Sequence, residues 1–365
     1  MNTVGHILES LNSLVPFSLQ EDYDNSGLLC GDRNNPVTGI LVAFDVNDDV
    51  LTEAVDTGCN VVVAHHPLIF KPMRSVTFDT PVGRLVSRAL ENRIAVIAVH
   101  TNIDNHFEGV NQELARHLGL ENLRILQPLE GRLQKLVTFV PHSHVDVVRT
   151  ALFEAGAGHI GRYDLCSYNL DGVGTFRANN ETKPFVGRLN EVHHEPEMRV
   201  EVVFPSWIQS RLLESLLQAH PYEEVAYDIF PMKNALPNAG AGMIGLLPEP
   251  LSEIDFLEHV KQKLCVPFLR HTSLRGRSVR KVAVCGGSGS FLINIASKSG
   301  ADAFVTGDIK YHDFFDAPAS LLVLDAGHFE TEQFTVQLLA RYLNEKIPNF
   351  AVLISKVNTN PINYC

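Results

Sequence analysis

The sequence predicts an α/β domain built from the two ends of the chain and interrupted by a smaller α+β module. Three observations carry that expectation. Apolar runs such as VVVA at 61–64 alternate with amphipathic stretches up to about residue 120, and the alternation returns after about residue 250. Between them the segment order becomes strand, helix, strands, strand, helix, strand. Continuous apolar strands separated by helices suit a parallel or mixed sheet covered on both faces, and the middle order is that of a ferredoxin-like unit. The expected boundaries are 1–126 for the first half of the α/β domain, 127–232 for the insert and 233–365 for the second half. A chain of 365 residues, 45% of them hydrophobic, also exceeds what one core usually organises.

The elements follow in order. In MNTVGHILESLNSLVP, Val4, Ile7, Leu8, Leu11 and Leu14 share one helical face and Pro16 stops the helix. There is no basic n-region before an apolar run, so this is an amphipathic first helix rather than a signal peptide. GILVAFDV (39–46) is a strand, and Val50, Leu51, Ala54 and Val55 mark a helix. NVVVAHH (60–66) and RIAVIAVH (93–100) are buried strands, with a helix at 82–90 between them and another at 110–120 ended by Gly119. KLVTFVP (135–141) begins the insert, 143–156 is helical, and a Gly-rich polar stretch fills 156–190. MRVEVVFP (198–205), a helix at 206–220 and VAYDIF (225–230) complete it. After PMKNALPNAGAGMIG come a helix at 252–264, a strand running into a Gly-rich turn at 280–290, strands at 301–309, 321–327 and 350–355, and a helix at 329–343.

Composition narrows the function classes. The net charge is -12, from 30 basic and 42 acidic residues, which removes the usual electrostatic drive toward nucleic acid. No apolar stretch reaches the roughly 18 residues that span a bilayer. Cys30, Cys59, Cys166, Cys265, Cys285 and Cys365 form no C-x-x-C pair and read as reduced thiols that pack as small hydrophobes. A soluble cytoplasmic protein without membrane or nucleic-acid partners is expected.

Three clusters carry metal-binding chemistry. AHHP (64–67) places His65 and His66 where an apolar strand ends, and the backbone turn there lets neighbouring rings converge. HTNIDN (100–105) puts Asp104, an oxygen donor, just beyond another strand. In DAGHFETE (325–332), His328 and Glu332 lie four apart at a strand-to-helix junction and share a helix face. Taken singly, each has an ordinary explanation: surface histidines, a turn aspartate, a helix-start glutamate favouring the macrodipole. Together, at the ends of three strands, they are too many donors for one closed tetrahedral site. They suit two divalent ions about 3.5–4 Å apart with open water positions. Imidazole and carboxylate ligands admit zinc, iron, cobalt, nickel or manganese.

Asp45, Asp308 and His312 lie near these motifs, either orienting a ligand histidine or carrying a proton, or simply bonding within loops. CGGSGS (285–290) either cradles a phosphate or makes a tight strand-to-helix turn. His193 and His194 read as solvated loop residues, and His220 as the packed end of a helix.

EDYDNSGLLCG (21–31), VVVAHHPLIF (61–70), HTNIDN (100–105), VCGGSGS (284–290), TGDIKYHD (306–313) and DAGHFETE (325–332) resemble, in order, the motifs of the Nif-three-like proteins, often labelled homologs of a type-two GTP cyclohydrolase I. The resemblance spans nearly the whole chain. It implies a dinuclear site on His65, His66, Asp104, His328 and Glu332 with Glu332 bridging, and a toroidal homohexamer. Segments 156–179 and 219–230 resemble the PII- or CutA-like insert of longer members. FDVN (44–47) departs from the family, where many members carry Thr at Asn47. The implied activity is metal-dependent hydrolysis, with GTP opened at C8 by the family label, or attack on a phosphoester. The alternative is a non-catalytic metal-binding regulatory or chaperone-like assembly whose insert senses an effector.

Overall fold

The computed structural model describes residues 2–348 and 350–363, and Cys365 lies outside them. The chain forms two compact units, one from residues up to Pro128 and from Asn238 onward, the other from Leu129–Pro237. The outer unit has a mixed α/β fold with two sheets.

In the N-terminal half of the outer unit, α1 (Val4–Leu14) precedes β1 (Gly27–Cys30) and β2 (Ile40–Ala43). Then come α2 (Asp48–Asp56), β3 (Val61–Ala64), α3 (Pro81–Glu91), β4 (Ala95–Ala98), α4 (Thr101–Asn105), α5 (Val110–His117) and β5 (Glu121–Leu129). Thr3 caps α1, and Asn47 caps α2 by accepting the Val50 N–H at 2.9 Å. Asn47 therefore has a structural role in starting α2.

The inner unit contains β6 (Leu133–Pro141), α6 (Val145–Glu154), β7 (Tyr168–Arg177), β8 (Val192–Pro205), α7 (Gln209–Ala219) and β9 (Tyr227–Met232). Its strands lie in the order β7-β8-β6-β9, with every adjacent pair antiparallel. Leu136, Val140, Val200, Val202 and Phe204 bury one sheet face against Val148 and Leu152 of α6 and Leu212 and Leu216 of α7.

The outer unit resumes with β10 (Leu236–Leu251), α8 (Glu253–Leu264), β11 (Arg270–His271), β12 (Val279–Ser288) and α9 (Ile293–Lys298). It ends with β13 (Ala303–Gly307), α10 (Tyr311–Phe315), β14 (Leu322–Asp325), α11 (His328–Glu332), α12 (Thr335–Lys346) and β15 (Val352–Ile354). One sheet has the order β1-β4-β3-β2-β15 and the other β11-β14-β13-β12-β10-β5. The strand triplets β2, β3, β4 and β12, β13, β14 run parallel within their sheets.

Both sheets are covered on both faces, as the continuous apolar runs require. Ile40, Val42, Val61 and Val63 face α1 and α12, whereas Leu41, Val62 and Val96 face α2 and α3. Each fully buried aliphatic side chain of this kind contributes about 1.5–3 kcal/mol. In the second sheet Val282, Val284, Val305 and Leu324 pack with α5 and α8, and Ala283, Phe304 and Val323 with α9.

Several expectations need correction. The strands expected after the first helix of the insert come down to β7 within the Gly-rich stretch at 156–190, and PMKNALPNAGAGMIG, not marked as a strand, contains most of β10. Glycine and proline suppressed the reading of β10 because they normally weaken strand interiors. The helix expected at 329–343 is two helices, with Thr331 bonding back to the Gly327 and His328 carbonyls where the first ends. His193 and His194 are not loop residues but lie in β8, where His193 meets Glu195 at 2.7 Å. His220 does end α7, buried, with Nε2 3.0 Å from the Phe139 carbonyl. The five described cysteines are free; Cys59 and Cys285 are buried, and Cys265 is exposed. No described helix is long and apolar enough to cross a membrane.

One buried ion pair locks the second sheet's edge. Glu253 accepts hydrogen bonds from Arg275 Nε at 2.8 Å and from the Arg275 and Gly276 amides. Burial alone would raise its carboxyl, but the hydrogen bonds from Arg275 and Gly276 hold it below the ordinary value. Glu253→Ala strands a buried guanidinium, so urea unfolding at neutral pH should show a loss of about 3–5 kcal/mol. The folded carboxyl lies below its unfolded value. Its contribution is therefore complete well above about pH 4.3 and disappears as the pH falls through the folded value, so the gap between wild type and variant should narrow in acid.

Candidate metal centre

The parallel strands of the two sheets end at one place. Beyond β2 lies Asp45, beyond β3 His65 and His66, beyond β4 His100 and then Asp104 on α4. Beyond β13 lies Asp308, and beyond β14 His328 and Glu332 on α11. Carboxyl ends of parallel strands are where α/β folds place ligands. The His65 and His66 amides bond to the Ala43 and Phe44 carbonyls at 3.2 and 3.0 Å. This turn at the strand end brings the two rings to 4.8 Å between centroids. Phe44 packs against both, at 5.5 and 4.6 Å.

The orientation of each imidazole is fixed from behind. His65 Nδ1 lies 3.0 Å from the Val99 carbonyl, His66 Nδ1 2.7 Å from Asp45 Oδ1, and His328 Nδ1 2.7 Å from Asp308 Oδ2. Each of these partners only accepts, so Nδ1 carries the proton and Nε2 turns toward the centre. Asp45 is itself held by the Thr359 hydroxyl at 2.5 Å. Asp308 sits at φ 54°, a left-handed conformation uncommon outside glycine that Asp adopts more readily than most residues. Asp325 fastens the same loop by accepting the Ile309 amide at 2.9 Å and the Gly327 amide at 3.0 Å.

Of the inward-facing atoms, His66 Nε2 and His328 Nε2 lie 3.2 Å from each other, and three others go without a partner. Glu332 Oε2 lies 3.5, 3.4 and 3.0 Å from the Nε2 atoms of His65, His66 and His328. His65 Nε2 is 3.9 Å from Asp104 Oδ1. Yet His65 Nε2, Asp104 Oδ1 and Glu332 Oε2 are buried without a hydrogen-bond partner. Buried acceptors left facing one another are costly unless a cation occupies the space between them. His65, Asp104 and Glu332 form one group that could hold a metal ion, and His66, His328 and Glu332 another, with Glu332 common to both. His65, His66 and His100 form a third. The residues present therefore fit a metal.

Titration behaviour follows the same crowding. Burial pushes His65 down to about 4. Burial opposes charge on His66 and His328 too, but Asp45 with Glu332 raises the first to about 9, and Glu332 with Asp308 raises the second to about 10. Burial and the adjacent Glu332 carboxylate push Asp104 well up. Burial likewise opposes charge on Glu332, but the imidazoles of His328, His65 and His66 hold it well below the ordinary range.

The glycine run of β12 serves this cluster. Gly287, at φ 59°, passes so close to Glu332 that a Cβ there would overlap the carboxylate. Its amide bonds to Thr331 Oγ1 at 3.0 Å, and the Gly286 amide to Asn111 Oδ1 at 2.9 Å. Those two amides are engaged, and Gly286 and Gly287 lie where the β12 register shifts, so this part of the run is a bulge that turns the backbone past Glu332. Asn111 also donates to the Asp104 carbonyl at 2.9 Å, tying α4 to this turn.

The five expected donors thus come together, with Asp45 and Asp308 behind two of them. His312 does not join: it lies on α10 with its ring against Tyr311. Sequence reasoning missed His100 and Asp24. His100 Nδ1 is 2.7 Å from Asp24 Oδ1, while Asp24 Oδ2 accepts the Thr101 amide and hydroxyl. Burial alone would raise Asp24, but these bonds hold it far below the usual range. His100 opens HTNIDN at a strand end, the same signal that singled out His65. Tyr23, Phe70 and Phe291 line the approach to the cluster in a cavity of about 400 Å³.

A family model described as Duf34/NIF3 (NGG1p interacting factor 3) matches residues 2–361. The chain is 38% identical to a GTP cyclohydrolase 1 type 2 homolog of Halalkalibacterium halodurans, covering 98% of each. It is 36% identical to the protein of the same name from Bacillus subtilis, covering 98% of this chain and 97% of that one. Among solved structures, a Bacillus cereus protein related to NIF3 superposes with a TM-score of 0.86 at 38% identity, covering 100% of this chain and 99% of that one.

Because Gly287 combines a positive φ with contact against Glu332, Gly287→Ala should lower stability by about 1–3 kcal/mol in urea unfolding. It should also bring His328 down from about 10 in an NMR titration of ion-free protein, as Glu332 is pushed away. An unchanged His328 titration would show that Gly287 does not position Glu332.

Proposed function

The chain belongs to the Duf34/NIF3 family, and we propose that it is a metal-dependent hydrolase acting on a small nucleotide-like or phosphoester substrate. The observation that carries this reading is the convergence of buried, unpartnered donors at His65 Nε2, Asp104 Oδ1 and Glu332 Oε2. His65, Asp104 and Glu332 would hold one divalent ion and His66, His328 and Glu332 a second, with Glu332 common to both groups. Zinc, iron, manganese, cobalt and nickel all suit such ligands. Bound there, the ions would supply Lewis acidity and lower the pKa of a water at neutral pH.

The remaining roles fall to the chain itself. Asp45 and Asp308 hold the His66 and His328 rings with Nε2 inward. His100, held at Nδ1 by Asp24, leaves Nε2 to take or return a proton at the substrate. Tyr23, Phe70 and Phe291 offer apolar walls to a planar base, and the cavity of about 400 Å³ suits one nucleotide-sized molecule. The name printed for the curated relatives makes GTP the first substrate to test.

We read residues 127–232 as an inserted module, splitting the α/β domain into 1–126 and 233–365. The strand order β7-β8-β6-β9 and its antiparallel pairs support a ferredoxin-like, PII- or CutA-like insert. A homohexamer is part of the same reading and rests on the family resemblance, and a cytoplasmic location rests on the cysteine pattern and the amphipathic first helix.

Metal-loaded protein should turn over GTP or p-nitrophenyl phosphate. His100→Ala should lower kcat by about 100-fold or more, and metal content measured beside it separates a proton-carrying role from the ligand role that its group with His65 and His66 allows. Full metal load with no turnover of either substrate would sink the hydrolase reading for these substrate classes.

A further inference from the structure

A second cavity, of about 760 Å³, lies wholly within the inner unit on the sheet face away from α6 and α7. β7 places Gly172 opposite Glu197 of β8 and Gly174 opposite Glu195. A Cβ on Gly174 would overlap the Glu197 carboxylate. Glycines inside a strand weaken it and mark places where something must approach closely. Here Gly174 clears room for a carboxylate that is only 8% exposed.

Glu197 is also left short of partners. Oε1 accepts the Tyr222 hydroxyl at 2.8 Å, whereas Oε2 takes no hydrogen bond among the described residues. The nearest cation along the strand, Arg199, is engaged with Glu201, with Nε and Nη2 at 3.0 and 2.9 Å from Oε1. Phe139, Phe176, Phe185 and Tyr222 supply the walls, and the Phe176 and Phe185 rings lie 6.3 and 6.2 Å from Tyr222. A buried carboxylate with an idle oxygen, set among aromatic faces, disfavours an anion and gains little from a neutral molecule. It favours a cation that donates hydrogen bonds and lies against ring faces.

We propose that this cavity binds a small organic cation, an amidinium, guanidinium or protonated amine on a planar apolar body, with Glu197 as its counter-ion. The cationic head donates to Glu197 Oε2 and the planar body lies among Phe139, Phe176 and Phe185. The site is separate from the metal centre and does not depend on the hydrolase reading.

Benzamidine, with neutral benzamide as its partner probe, tests this by calorimetric titration of the full chain. Benzamidine should bind wild type at least about tenfold more tightly than benzamide, and Glu197→Gln should weaken benzamidine by about tenfold or more. Gly174→Ala, which displaces the carboxylate, should weaken it as well. Saturating zinc should leave the affinity unchanged. Equal binding of benzamide and benzamidine to wild type would overturn the proposal without recourse to any variant. So would absence of benzamidine binding, an unaltered affinity in Glu197→Gln, or displacement by zinc.

Discussion

Glu332 is a carboxylate buried among three imidazole nitrogens, and the arrangement of the outer unit answers to that one placement. A buried charge is tolerated only when it is paired and hydrogen-bonded. The chain brings His65 and His66 from its first half and His328 from its second half to meet Glu332 within 3.5 Å. Neither half alone supplies the set. Two separate sheets must therefore present their strand ends to one point, and the glycines of β12 must let the backbone pass beside the carboxylate.

Behind the donors stands a second set of contacts that fixes direction rather than charge. The Val99 carbonyl, Asp45, Asp308 and Asp24 each take an imidazole Nδ1. Asp45, Asp24 and Asp325 are tied in turn by hydroxyls and amides. Asn111 joins the Asp104 turn to the Gly286 turn through a single amide side chain. Rings held this way have one free nitrogen and little freedom to turn, which is what preorganised ligation requires. The inner unit carries a different device: the buried Glu197 carboxylate lies among aromatic rings, and among the described residues no group of potential metal ligands surrounds it.

Much of this was legible in the sequence because the outer unit obeys simple periodicity. VVVA at 61–64 and AVIA at 95–98 are buried on both faces, and such strands announce themselves as unbroken apolar runs. His65, His66, Asp104, His328 and Glu332 were visible because each follows such a run. His100 follows one as well, but it shares its motif with Asp104 and its partner Asp24 lies far away in sequence, so its role emerges only in three dimensions. β10 escaped because its glycines and prolines mimic a loop, although pairing with β12 supplies what propensity lacks. The roles of Asp45 and Asp308 also needed coordinates, since nothing in their sequence neighbourhoods separates a ring-orienting carboxylate from a loop one.

The central claim is that the five converging donors hold metal. Metal content per chain, measured by plasma mass spectrometry after zinc saturation and desalting, tests it most directly in wild type, His65→Ala and Glu332→Ala. The account predicts about two ions in wild type and their loss in both variants. Full retention in both variants would contradict it, because these side chains would then not be the ligands.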